Sequence, residues 1–332
     1  MTGRTSGQVR GIFRVGGTSE ATLRVDLVRG GTRFEKRAFI NDKLSRSAQD
    51  YFGVKLNHSP IQFHAITLNP TSTDLIRGEP SLRRNYLNQV ISSENPAYIE
   101  ILKHYQKALD QKNALLKQES PYDPAFLEVL NSQLIRTGAE VIRERLGFLK
   151  RIHEPVIRFL KNIAPQQTPI RIAYKQGEIL QFTGHFELPP IQILMENLHQ
   201  KLIEKGTLER VRKTSLVGPH RDDFLIKVGA EVPAGDPDLV DVGSQGEIRS
   251  VLLALKLTEL EEFEKITGVQ PVLLIDDFSS ELDSTRRGFL LNYLEDSRLQ
   301  IFMTSTDDLM TDLGSKGKSI RMRQGRIEQD SL

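Results

Sequence analysis

Asp276 and Asp277 close an apolar run, PVLLIDD, and a second short element, Ser-Glu-Leu-Asp at 280–283, follows almost at once. Four apolar residues after a proline read as a strand buried on both faces. The two carboxylates then emerge at its C-terminal end, where open α/β sheets place their ligands. Adjacent carboxylates in that position can hold a hydrated divalent cation and orient a water for attack on a phosphoanhydride. A buried strand whose terminal acid caps the next turn is the plainer reading of the same residues. Nucleotide hydrolysis also requires a phosphate cradle, usually G-x-x-x-x-G-K-[ST], and the 332 residues contain none. Gly314-Ser315-Lys316-Gly317-Lys318-Ser319 imitates one, but the position five before Gly317 is Asp312, and the segment follows the carboxylate strand.

Upstream, Gly243-Ser244-Gln245-Gly246-Glu247 opens a long helical pattern. Ser244 with Glu247 three residues later is a capping box, each side chain satisfying an orphan N–H of the other. The same small, glycine-containing helix start lets backbone N–H groups and the Ser244 hydroxyl approach a γ-phosphate. The two readings are compatible.

The elements that must position these residues follow from periodicity. Val9–Val15, Ala21–Val28 and Phe34–Ile40 alternate and form a meander, turned at Arg29-Gly30-Gly31-Thr32. Ile61–Leu68 is a further apolar segment, after which Gly78 breaks the chain and Pro80 suits a first helical turn. Tyr98, Leu102, Tyr105, Leu109 and Leu116 mark one helical stripe. Ile135, Ala139, Ile142, Leu146, Leu149, Ile152, Val156 and Leu160 mark a longer one, with a kink expected at Pro155. A strand pair near 169–184 turns at Gln176-Gly177, Ile191–Leu208 is helical, DDFLIKV alternates, and Gln245–Lys265 forms a helix before the carboxylate strand. Strands thus flank a mostly helical middle. The expected fold is α/β, with residues 1–90 and 206–332 as two segments of one lobe and 91–205 as an inserted helical lobe carrying a short strand pair. No internal repeat and no sustained heptad pattern is present.

Composition is that of a folded polar protein, with 38% hydrophobic and 27% charged residues and a formal net charge of +2. The chain has no cysteine, so disulfides and thiolate chemistry are excluded, and the seven histidines lack zinc-ligand spacing. The start, MTGRTSGQVR, has no apolar leader core, and runs such as Val251–Leu255 fall far short of a membrane span. A cytoplasmic protein with no membrane partner is expected. Lys316, Lys318, Arg321, Arg323 and Arg326 form an acid-free basic stretch, read as the outward charges of a terminal hairpin that discourage edge pairing.

The order of motifs carries a resemblance. GSQGE is similar to an ABC-type signature, LLIDD to a Walker B strand and SELD to the D-loop after it. DLIRGEPSLRRNYLN and LVGPHRDDF resemble motifs of the RecF family, bacterial recombination and gap-repair ATPases, in which they read roughly D-L-x-L-V-x-G-x-P-x-x-R-R-x-F-L-D and G-P-H-R-D-D. The resemblance covers nearly the whole chain, with anchors at Asp74–Asn88, Leu216–Phe224 and Gly243–Asp283. It implies an ABC-type ATPase head of the P-loop class with an inserted helical lobe. It also implies ATP and Mg²⁺ as ligands, an ATP-dependent homodimer, binding of gapped or single-strand/double-strand junction DNA, and work with RecO and RecR in loading RecA.

Carried over by residue, the resemblance gives Asp276 the metal, through water, and gives Asp277 the orientation or deprotonation of the attacking water. Ser244 and Gly246 act in trans on nucleotide bound by a second protomer. Glu247 stands where a glutamine is common, and a carboxylate there suits a triphosphate only if it points at the ribose or caps the helix. Ser280 and Asp283 form the dimer-facing D-loop, and Thr304 occupies the place of a switch histidine. His220, Arg221, Asp222 and Asp223 serve either an internal ion-pair network or a ligand. In the family the phosphate loop comes first, with a Gly-Arg-Ser-like stretch after the next helix. Gly3-Arg4-Thr5 stands at the start of this chain. The expectation is therefore a late start, through a misplaced start codon, a gene fragment or a deletion, and no ATPase activity until a Walker A segment is restored.

For DNA, Arg136, Arg143 and Lys150 recur every seven residues on one helix face, with Arg151 and Arg158 on a neighbouring line. Glu140, Glu144 and Glu154 moderate that face, so a solvated surface competes with phosphate binding. Arg83 and Arg84 are candidates on the ATPase side. The rival functional class is a nucleotide-independent DNA-binding or scaffolding remnant. An SMC-type or transporter ATPase is disfavoured by the short insert.

Overall fold

The computed structural model describes residues 6–15, 19–30, 33–45, 55–56, 59–60, 64–119, 123–177, 179–182, 187–229, 236–277, 283–306, 318–323 and 326–328. The first sheet is an antiparallel meander of β1 (Ser6–Val15), β2 (Ser19–Gly30), β3 (Arg33–Ile40) and β4 (Lys43–Ser45). The strands stand where the sequence places them, but their burial does not alternate. Ala21 and Ile40 are buried, whereas Val9 and Ile12, which alternation puts on opposite faces of the outer strand, are both exposed.

Two-residue strands β5 (Lys55–Leu56) and β6 (Ser59–Pro60) pair next. β7 (Ala65–Leu68) then joins β11 (Val272–Ile275) and β12 (Gln300–Met303) in a parallel sheet ordered β12-β11-β7. Leu273 pairs with Ile66 and Ile301, and Leu274 with Thr67 and Phe302. Strands from distant parts of the sequence thus lie side by side, as parallel pairing requires a crossover. The carboxylate strand is not buried on both faces: Leu273 and Ile275 are buried, Val272 and Leu274 half-buried, and the neighbouring Phe302 is 57% exposed. One face of this sheet packs on the core. The other is only partly covered among the described residues.

After the short α1 (Asp74–Arg77) come α2 (Pro80–Glu94) and α3 (Ala97–Leu116). α4 (Pro124–Ile163) is a single 40-residue helix. Pro124 opens it, and Asp123 caps it by accepting from the Ala125 N–H at 2.9 Å. All eight residues of its predicted stripe, from Ile135 to Leu160, are buried. It packs against α3, α5 (Ile191–Arg212) and α7 (Gln245–Thr267), so it is the shared wall of the helical lobe and the sheet lobe. Each fully buried Leu or Ile in such a stripe contributes about 1.5–3 kcal/mol of apolar burial.

β8 (Ile170–Gln176) and β9 (Ile179–Phe182) form the expected hairpin, and β8 also pairs with β10 (Asp223–Val228). The boundary expected at 205/206 therefore falls inside α5, and one sheet draws strands from both sides of it. α6 (Leu239–Val242) precedes α7. α8 (Ser284–Asp296) links β11 to β12, and β13 (Met322–Arg323) pairs with β14 (Arg326–Ile327) within the basic stretch. Among the described residues no helix is long and apolar enough to cross a membrane.

Candidate functional site

Asp276 and Asp277 leave the end of β11 beside the end of β12. The Asp276 N–H donates to the Leu68 carbonyl at 2.8 Å, and the Thr304 N–H donates to the Ile275 carbonyl at 2.9 Å. The Thr304 hydroxyl joins the two acids: it donates to Asp276 Oδ1 at 2.5 Å and accepts from the Asp277 N–H at 3.0 Å. Asp277 sits at φ +56°, in the left-handed region. For a non-glycine residue this conformation costs on the order of 1 kcal/mol, and the Thr304 contact holds it in place. The Asp276 side chain faces solvent.

A second cluster forms at the start of α7. Ser244 is the N-cap, and its hydroxyl accepts from the Glu247 N–H at 3.2 Å. Glu247 Oε2 takes the Ser244 N–H and the Ser244 O–H, both at 2.8 Å. The capping box is therefore complete, and the Glu247 carboxylate covers the serine. Asp283 caps α8 by accepting from the Arg286 N–H at 2.9 Å and pairs with the Arg286 guanidinium. A Cβ on Gly246 would lie 3.0 Å from Arg286 Nη2, so the glycine permits a close approach of the two elements. Ser280 lies outside the described residues.

The segment His220–Asp223 builds an internal network. Arg83 forks onto Asp223 at 2.8 and 2.7 Å and gives its remaining reach to the Gly78 and Ile76 carbonyls, at 2.8 and 3.1 Å. Arg84 donates to the Asp222 carbonyl at 3.0 Å. Arg145, fully enclosed on α4, donates to the Pro219 carbonyl at 2.7 Å and to Asn88 at 2.9 Å. The Tyr174 hydroxyl donates to Asp222 Oδ2 at 3.0 Å. Burial pushes the Asp222 carboxyl up to about 6, against the opposing pull of Arg145.

His220 Nδ1 lies 2.5 Å from the Tyr105 hydroxyl and Nε2 lies 3.2 Å from the Ser215 carbonyl. Burial lowers the His220 pKa to about 4, so the ring is neutral near pH 7. A carbonyl only accepts, so Nε2 carries the proton and Nδ1 accepts from Tyr105. Gly218, at φ +130°, leaves room for that phenol: a Cβ there would lie 2.3 Å from the Tyr105 oxygen.

The long helix presents Arg136, Arg143 and Lys150 to solvent. Arg136 lies 3.7 Å from Glu140. Arg151 pairs with Glu94 at 2.5 Å and reaches Glu262 at 3.6 Å, and Arg158 pairs with Glu261. The arginines on the neighbouring line therefore tie α4 to α2 and α7, while Arg83 and Arg84 are engaged within the His220–Asp223 network.

Several contributors have no signature in the sequence. Lys112 on α3 is fully buried 2.7 Å from Glu209, and Glu94, Glu259 and Glu262 are buried together near Arg151 and Lys256. The i, i+3 spacing of Glu259 and Glu262 inside the apolar pattern of α7 was the available signal. Among the described residues no group of three or more histidines and carboxylates is placed to hold a metal. The exposed Asp276 and the half-buried Asp277 are oxygen donors of the kind that suits Mg²⁺, which keeps waters and takes its other ligands from phosphate.

No family model matches the chain. It is 32% identical over 301 residues to the DNA replication and repair protein RecF of Lactobacillus johnsonii, covering 88% of this chain and 74% of the relative. Against the RecF of Geobacter metallireducens it is 33% identical over 275 residues, covering 82% and 68%. Among solved structures it resembles the recombination mediator protein RecF-ATPrS of the RecFOR pathway, with a TM-score of 0.77, 27% identity and coverage of 98% and 80%. The RecF-ATP structure gives 0.79 and 26% over the same shares. The expected fold class, an α/β ABC-type ATPase head with an inserted helical lobe, holds. The chain belongs to the RecF family of DNA replication and repair proteins.

Proposed function

We propose that this chain acts as an ATP-controlled, dimerising protein of the bacterial cytoplasm that binds gapped or single-strand/double-strand junction DNA and, with RecO and RecR, helps load RecA. The observation that carries this reading is the adjacent Asp276 and Asp277 at the end of a parallel sheet, where Thr304 links the Asp276 carboxylate to the Asp277 backbone N–H. The similarity to solved RecF structures described with ATP and ATPrS supports the nucleotide.

Magnesium-bound ATP supplies an electrophilic γ-phosphate. With a phosphate loop restored to cradle it, the residues of this chain would divide the remaining work. Asp276 would hold the hydrated metal, and Asp277, with its left-handed backbone, would orient the attacking water. Thr304 fixes both. Ser244 and the first-turn N–H groups of α7 close on the nucleotide of a second protomer, which requires the Glu247 carboxylate to release the serine. Asp283 belongs to the same facing surface. Arg136, Arg143 and Lys150 track a DNA backbone.

The absence of G-x-x-x-x-G-K-[ST] from the 332 residues favours a second reading, a DNA-binding or scaffolding protein indifferent to nucleotide. Reading the coding DNA upstream of Met1 in frame for that motif is the first discriminator. The second is binding of a gapped duplex with and without Mg–ATP. Tighter binding with ATP supports the first reading, and ATP-indifferent binding supports the second. Equal affinity for gapped and blunt duplex overturns the junction specificity of the first.

A further inference from the structure

Arg286 stands on the first turn of α8, with its side chain only 18% exposed, and none of the roles above uses it. Its Nε donates to Ser250 Oγ at 2.7 Å, its Nη1 pairs with Asp283, and its Nη2 lies against Gly246. Ser250 is fully buried on α7, and its hydroxyl donates in turn to the Gly246 carbonyl at 3.0 Å. The proton count closes: the hydroxyl gives its one hydrogen to Gly246 and accepts from the guanidinium. A continuous relay therefore runs from the Asp283 cap through Arg286 and Ser250 to the tip of α7. Gln167 also donates to the Glu247 carbonyl at 3.4 Å, and it lines a cleft of about 390 Å³ together with Glu247, Asp283 and Arg286. The tip thus has a second attachment, to the residues that follow α4.

We infer that Arg286 is a positioning residue that locks the Ser244–Gly246 tip to the Asp283 cap, so that the two surfaces meeting the nucleotide of a second protomer move as one unit. This rests on the reading of Ser244 and Asp283 as nucleotide-closing residues. Arginine is required because its fork reaches a hydroxyl and a carboxylate in different directions. A lysine ammonium keeps the charge and loses the fork. Gly246 has a role here besides any contact with phosphate, since it makes room for the guanidinium.

The test is hydrogen–deuterium exchange on the full 1–332 chain, comparing Arg286→Ala, Arg286→Lys and Ser250→Ala with the wild type at unchanged melting temperature. Ser250→Ala is the decisive variant, because the hydrogen bond from Ser250 to α8 among the described residues is the one from Arg286. It is expected to speed exchange at 286–288 by roughly tenfold, the effect of losing one hydrogen bond to a charged group. In the Arg286→Ala background it should add nothing. Arg286→Lys should not rescue. An effect of Ser250→Ala confined to α7, or full rescue by lysine, overturns the relay. If Arg286→Ala does not fold, Ser250→Ala and Arg286→Lys still decide. Adding Mg–ATP to the chain with a Walker A segment restored tests the underlying reading separately. No change at 244–250 counts against nucleotide closure, while the relay stands or falls on the variants.

Discussion

The Glu94 carboxylate at the end of α2 and the Arg151 guanidinium on α4 lie 2.5 Å apart, yet Glu94 titrates far above an ordinary glutamate. Burial raises its pKa to about 7, and the neighbouring Glu262 and Glu259 add to the shift that Arg151 opposes. Lys256, Lys265 and His64 face the same three acids, at 2.9, 3.1 and 3.5 Å from their nearest carboxylate oxygens.

The folded protein thus holds a proton on Glu94 that the unfolded chain releases near pH 4.5. The folded pKa is the higher one, so the contribution is fully present below pH 4.5 and is lost as pH rises through about 7. Glu94→Gln, which mimics the protonated acid, should flatten this dependence and gain on the order of 2 kcal/mol at pH 8 relative to wild type. Urea denaturation at pH 5 and pH 8 measures it. Equal pH slopes in the two proteins would exclude Glu94 as the titrating group.

At the nucleotide carboxylates two outcomes are expected. Residues 1–332 should show no Mg²⁺-dependent ATPase above background, since no residue set in the sequence matches the phosphate cradle. Activity abolished by Asp277→Asn in this same chain would contradict that. Separately, Asp277→Gly should stabilise the fold by about 0.5–1 kcal/mol, because glycine adopts φ +56° without strain. A destabilised glycine variant would mean that the Asp277 side chain contributes more than its backbone costs.

For DNA, Arg143→Ala/Lys150→Ala should weaken binding of a gapped duplex for all sequences alike and lower the salt slope by about 0.9 for each duplex phosphate no longer neutralised. Arg83→Ala leaves Asp223 buried without its partner and should cost about 3–5 kcal/mol of stability. That variant is expected to lower the melting temperature before it alters any salt slope. A salt series on folded protein, paired with thermal melts, separates the two, and an unchanged slope in the helix double variant assigns that face to solvent.

The Lys112–Glu209 pair offers a stability test away from both sites. Burial lowers the Lys112 pKa against the pull of Glu209. Glu209 also accepts from the Leu216 N–H at 2.7 Å and the Ser215 hydroxyl at 3.1 Å. Lys112→Met alone should cost about 3–5 kcal/mol. Lys112→Met/Glu209→Gln should cost less, because the amide oxygen still accepts from Leu216 and no charge remains unpaired. Additive costs in a double-variant cycle would show that the two groups do not interact.

Local pattern made much of this legible. The positions of the β1–β3 strands, the α4 stripe, the Ser244–Glu247 capping box and the carboxylates at a strand end all follow from patterns local in the sequence. Partner choice was not legible. Arg83 meets Asp223 and Arg145 meets Pro219 across gaps of 140 and 74 residues, and periodicity reports which side is buried, not what it is buried against. Arg83 therefore reads as a DNA-binding candidate, and nothing in the pattern singles out Lys112. The half-covered face of β11 escaped for a related reason, since an apolar run fixes the strand but not how many layers enclose it.

The length of α4 has a mechanical consequence. Forty residues make a rod about 60 Å long. Its C-terminal end leads into Ile163–Gln167, which line the cleft beside the α7 tip, and its N-terminal end starts among the exposed Phe126 and Val129. Pivoted at the cleft, a tilt of about 5° would carry the far end through roughly 5 Å, close to one full helical pitch. The buried stripe from Ile135 to Leu160 and the Arg151–Glu94 and Arg158–Glu261 pairs oppose such a tilt, so the length of the helix carries rigidity from the cleft to its exposed far end.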